Sequence, residues 1–88
     1  MSKVEIDADA LDLFVSQLIT FNKTLSDQKS RLRAQFLRLG ETWKDPYFMK
    51  FSQEFDQTMK NLNRFHRESD DVIPKLRKKA QRARDVHL

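Results

Sequence analysis

The chain has one glycine and two prolines in 88 residues, so there are few places where its backbone is suited to reverse direction. The stretch Gly40-Glu41-Thr42-Trp43-Lys44-Asp45-Pro46 holds that glycine, one of the prolines and the sole tryptophan. It separates two long runs of helical character and reads as the corner of a helical hairpin. Gly40 suits a left-handed position just past a helix end, because it has no Cβ to clash. Asp45-Pro46 reads as a helix start: the carboxylate accepts orphan N–H bonds of the next turn, and proline fits the first helical position. Trp43, between stop and start, is placed to fold back over the end of the hairpin. So few turns also argue against a many-stranded sheet.

The first arm is expected over about residues 7–39. Asp7 serves as N-cap, with Asp9 and Asp12 near the first turn, where the helix dipole favours negative charge. Leu11, Leu18, Leu25, Leu32 and Leu39 then recur every seven residues. Phe14 and Phe21 occupy the complementary heptad position, and Val15 and Phe36 widen the seam. This is the patterning of helices packed at a shallow angle. Gln28 and Gln35 fall where apolar residues are expected; they read either as a wet seam edge or as a buried polar pair that sets register.

The second arm is expected over about residues 46–84. Phe48, Phe51, Phe55, Met59, Leu62, Phe65, Val72, Leu76, Ala80 and Ala83 form one stripe at steps of three, four or seven, with Ser69 its one polar member. Pro74 interrupts the rule, since it removes a helical N–H and crowds the carbonyl four residues back. Either the arm kinks near 74, or it stops near Asp70-Asp71 and restarts; the unbroken apolar phase favours the kink. Two arms of equal length joined by one short corner specify an antiparallel, all-α hairpin. Its expected buried seam comprises Leu18, Leu25, Leu32, Phe51, Phe55, Leu62 and Phe65. The flanks, among them Val15, Phe36, Ile73 and Tyr47, stay partly wet, and a second hairpin making a four-helix bundle is the simplest cover. Trp43 lies outside both stripes and is expected to be more exposed than the seam phenylalanines, as an anchor for a partner.

Catalytic, metal and cofactor chemistry has no foothold in the pattern. Cysteine is absent, His66 and His87 are far apart, and no glycine-rich loop offers a phosphate cradle. His66 reads as a solvent-flanking residue. Asp70 and Asp71 read as exposed carboxylates rather than an acid–base pair. Neither a leader nor a spanning stretch is apparent, which points to a cytosolic protein or one exported without a cleaved leader. The charge is uneven. Lys75, Arg77, Lys78, Lys79, Arg82 and Arg84 form a run without an acid, whereas the other 11 of the 17 basic residues face 13 acidic ones. The run complements a helix C-terminus or meets an acidic protein. Nucleic acid or an anionic membrane is less well served, because the run lacks interleaved aromatics and bulky apolar residues.

The corner, the two arms and the length together resemble the WXG superfamily, the small helical hairpins handled by type VII secretion systems. Here the W-x-G corner reads Trp43-Lys44-Asp45, with Asp45 where the family has glycine. The family's Tyr-x-x-x-Asp/Glu export element after the second helix has no counterpart: the one tyrosine, Tyr47, sits at the corner, and no phenylalanine has an acid four positions on. The resemblance therefore points to a partner-type or divergent member. It implies a non-enzymatic interaction module that forms a homodimer or a heterodimer with a related hairpin and serves a larger secreted effector. The alternative from a different class is a helical dimer that holds nucleic acid non-specifically through its basic C-terminal segment.

Overall fold

The computed structural model describes residues 6–86; Met1–Glu5 and His87–Leu88 lie outside the described residues. Helix α1 runs over Ala8–Leu39 and helix α2 over Pro46–Val86. The two pack side by side in opposite directions as a hairpin of 65 × 25 × 16 Å, with no strand among the described residues. At the start of α1, Asp7 caps the helix, its Oδ1 accepting from the Ala10 N–H at 3.1 Å. α2 continues through Pro74 without a break.

The seam follows a seven-residue repeat on both helices. In α1 it is Leu11, Val15, Leu18, Asn22, Leu25, Lys29 and Phe36, all buried or half-buried; in α2 it is Phe48, Ser52, Phe55, Met59, Leu62, His66, Ser69, Ile73, Leu76, Ala80 and Ala83. This is the leucine row of the sequence, but with a different complementary row in α1. Phe14 and Phe21 do not point inward; they are 55% and 53% exposed, and Val15 and Asn22 take the inner places. The physical reason lies across the seam. Toward the open end α2 offers Ser69, Ile73 and Ala80, all buried. Such small and branched side chains let the helix axes approach, and a phenyl ring aimed straight across would hold them apart.

The same rotation moves other residues. Leu18, Leu25, Phe55 and Leu62 are half-buried, whereas Leu32, Phe51 and Phe65 are exposed, at 50%, 40% and 42%. Val15 and Ile73, expected as wet flanks, are buried core, and Phe36 is half-buried among rings. It stacks on Phe55 with centroids 4.2 Å apart and on Phe48 at 5.2 Å. His66 is not a flanking residue but a half-buried seam member, 3.6 Å from the Asp70 carboxylate. Inside the seam, Ser52 and Ser69 donate their hydroxyls to the carbonyls of Phe48 and Phe65, each at 2.8 Å, so they need no partner across it. The Lys29 ammonium reaches across to Asn63 Oδ1.

At the open end Arg84 of α2 clamps α1, with its Nη2 2.9 Å from Asp9 and 2.5 Å from Asp12. One member of the basic run is thus held within the molecule; the hydrogen bonds it donates to Asp9 and then Asp12 push the Arg84 guanidinium above its ordinary range. Asn22 is the anomaly of the seam. It is 4% exposed, and neither its side-chain oxygen nor its nitrogen has a hydrogen-bond partner. A buried amide left unpaired costs more than an apolar group of the same shape. Asn22→Leu is therefore expected to stabilise the hairpin by about 1–2 kcal/mol, seen as a higher midpoint in a circular dichroism melt. A lower midpoint would mean that the amide is satisfied after all.

Candidate functional site

Two surfaces stand out, and both follow from the rotation of the helices. The first is the corner. The last turn of α1 closes through Gly40 N–H to Phe36 O at 3.0 Å and Trp43 N–H to Leu39 O at 3.0 Å. Gly40 itself has φ −63° and ψ −17°, a right-handed conformation, so the left-handed cap expected from sequence is not formed. What glycine offers there is a close approach instead: a Cβ at Gly40 would sit 3.0 Å from Phe48 Cζ, so the ring would have to give by a few tenths of an ångström to admit one. The ring of Phe48 thus packs directly on the corner backbone.

Trp43 and Asp45 act as one unit. The indole Nε1–H donates to Asp45 Oδ2 at 2.8 Å, while Asp45 Oδ1 accepts from the Phe48 N–H at 3.2 Å, capping α2. The indole hydrogen bond, helped by the backbone N–H groups of Phe48 and Tyr47, holds the Asp45 carboxyl below its ordinary value of 3.8. Trp43 lies against Phe48 with centroids 5.2 Å apart and near Tyr47 and Phe51, each at 6.5 Å. It is half-buried, hence less exposed than Phe51 and Phe65, contrary to the expectation for a free tip residue. The aromatic neighbours on α2 come within reach because Asp45 fixes where that helix starts. Tyr47, 70% exposed, is the ring left outermost at the corner.

The second surface is one long side of the hairpin. Phe14 and Leu18 of α1, with Phe65, Ser69 and Val72 of α2, line an open groove, and Phe21 meets Phe65 edge-on at 6.1 Å. Phe14, Phe21, Phe65 and Val72 are all 40% or more exposed. The opposite side is polar where Ser26, Lys29, Ser30, Arg33 and Asn63 come together. Beyond the apolar side, Lys75, Arg77, Lys78, Lys79 and Arg82 are exposed on the last turns of α2. Sequence reasoning put the first three rings in the seam and so missed the groove. The signal was present in the spacing: Phe14, Phe21 and Gln28 repeat one residue ahead of Val15, Asn22 and Lys29, so only one of the two rows could face inward.

Nothing in either surface resembles a catalytic centre. No cluster of three His, Asp or Glu side chains among the described residues could hold a metal, and no described helix is long and apolar enough to cross a membrane.

The corner hydrogen bonds give a direct expectation. Because Asp45's carboxyl is depressed in the folded chain, its contribution is complete above the ordinary aspartate range and is lost as pH falls through the lowered folded value. Asp45→Ala should melt below the wild type at neutral pH, and the gap between the two should close as both are acidified past the aspartate range. A gap of equal size at neutral and strongly acid pH would show that the charged carboxylate contributes nothing at the corner.

The chain compared with known proteins is a two-helix rod with a tryptophan at the turn between its helices. No curated protein and no solved structure matches the chain. Residues 3–86 match the family described as "WXG100: Proteins of 100 residues with WXG". The match spans both helices and the corner, so the chain belongs to the WXG100 family and, through it, to the small helical proteins associated with type VII secretion.

Proposed function

We propose that this chain is a non-enzymatic pairing module of a type VII secretion system. Through its apolar side it joins a second helical hairpin, another copy or a related chain, to make a four-helix bundle. In that form it is a secretion substrate in its own right, or a partner or adaptor of a larger effector.

One observation carries the reading. Among the described residues no large side chain is fully buried and Val15, Met59, Ile73 and Ala80 are the buried apolar ones, while Phe14, Phe21, Phe65 and Val72 stand exposed together on one side. A lone hairpin of this size is short of core, and an apolar side of this kind marks a partner surface. Covering a few hundred Å² at roughly 25 cal/mol per Å² returns several kcal/mol toward association. The Trp43–Asp45 unit, with Tyr47 beside it, lies at one end of such a bundle and is the contact we assign to the larger partner.

Sedimentation velocity at micromolar concentration tests the pairing. The wild type should sediment as a dimer, and the double variant Phe14→Ser, Phe65→Ser as a folded monomer. A wild type that remains monomeric, or a double variant that still dimerises, contradicts the assignment of this side. Trp43→Ala should leave the dimer in place if its role is at the tip; loss of folding would make it a closing residue of the corner instead.

A further inference from the structure

A row of exposed positions on α2 continues the groove past its apolar part. Phe65, Val72, Lys75, Lys79 and Arg82 follow one another at steps of seven, three, four and three, so they share one side of the helix. Phe65 and Val72 form the groove wall opposite Phe14 and Leu18. The three cations extend that wall by roughly 10 Å of helix at 1.5 Å per residue. They also differ from the last cation of the run. Arg84 turns toward α1 and is taken up by Asp9 and Asp12, whereas Lys75, Lys79 and Arg82 make no ion pair with any described residue.

We propose that the helix received by the groove is acidic along its edge, with carboxylates that meet Lys75, Lys79 and Arg82. The inference rests on the pairing function above and adds the chemistry of the partner. Apolar contact in the groove would supply attraction to any hairpin, and the cations would choose among them. A second copy of this chain covers the groove but matches the cations poorly. Upstream of the cations the same row of α2 offers Glu54 and Glu68, two carboxylates for three cations, at spacings set by different turns. An acidic helix supplies carboxylates at the same three- and four-residue steps as the cations, which a flexible or flat polyanion does not. The row also lacks aromatic residues among its cations for stacking on bases. The cations continue a groove wall rather than surround an apolar face of the kind that enters a bilayer.

The test uses two synthetic amphipathic peptides with the same leucine seam, one bearing Glu and the other Lys at the flanking positions. Each is titrated with the full-length protein by fluorescence anisotropy at physiological salt. The wild type should bind the Glu peptide about tenfold or more tightly than the Lys peptide, a preference that shrinks as salt rises. Lys75→Glu, Lys79→Glu and Arg82→Glu together, all at exposed positions and checked for helicity, should reverse the order. Phe14→Ser with Phe65→Ser should weaken both peptides. A short DNA duplex and vesicles of anionic phospholipid should bind more weakly than the Glu peptide. Equal affinity for the two peptides, an order that survives the charge reversal, or tighter binding of DNA or vesicles overturns the proposal while leaving the hairpin pairing intact. A Glu-peptide preference unaffected by the Phe14 and Phe65 changes overturns it too, because the groove would then have no part. If neither peptide binds and the wild type sediments as a monomer, the pairing function falls, and this proposal with it.

Discussion

Two helices touch along one line, and only side chains that point straight across that line leave the water entirely. Everything else in this chain is arranged around that limit. Each helix carries more apolar residues than one line accommodates. Toward the open end, at Val15, Ser69, Ile73 and Ala80, the inner places go to small or branched side chains. Where aromatic side chains gather near the corner, Phe36 stacks on Phe48 and Phe55 and the seam is filled by rings. The seam thus tapers from stacked rings at the corner to an alanine and an arginine clamp at the open end. Several of the large residues that the narrow part excludes gather on one side, although Leu13 and Leu37 are exposed elsewhere on α1. Phe14, Phe21, Phe65 and Val72 fall on one side because both helices are turned by the same choice of inner row.

The corner shows how a motif can lose its glycine and keep its geometry. No described residue has a positive φ. The turn from α1 to α2 is therefore made without the left-handed conformation that would exclude a side chain. At position 45 that freedom lets a carboxylate take two tasks. One oxygen caps α2 and the other fixes the indole of Trp43. The position where a side chain is crowded is Gly40, because a Cβ there would press on the ring of Phe48. In the structure the tryptophan is tied to the turn and to α2, and the exposed part of the corner is shared with Tyr47.

Much of this was written in the sequence. The scarcity of turns, the Asp7 and Asp45 caps and the seven-residue leucine row led to two helices and their antiparallel packing. What could not be read was the rotation of each helix about its axis. In α1 the rows through Phe14 and through Val15 are adjacent and both partly apolar, so hydrophobicity alone does not choose between them. The choice was made by the size of the side chains across the seam, a property of the pair rather than of either helix. Asn22, Lys29, His66 and Ser69 sit inward for the same reason: they lie on the winning row, and their polar atoms were not enough to turn it. The basic run shows the same limit. As sequence it is six similar cations; in the folded hairpin Arg84 joins the helices and Lys75, Lys79 and Arg82 border the groove.

The central claim is that the side bearing Phe14, Phe21 and Phe65 is an interface rather than a tolerated exposure. Hydroxyl-radical footprinting, read residue by residue on dilute and on concentrated protein, addresses it without any substitution. The account predicts that Phe14, Phe21 and Phe65 lose reactivity together as concentration rises while Tyr47, at the corner, keeps its own. Unchanged reactivity of the three phenylalanines, or protection of Tyr47 in their place, would contradict it.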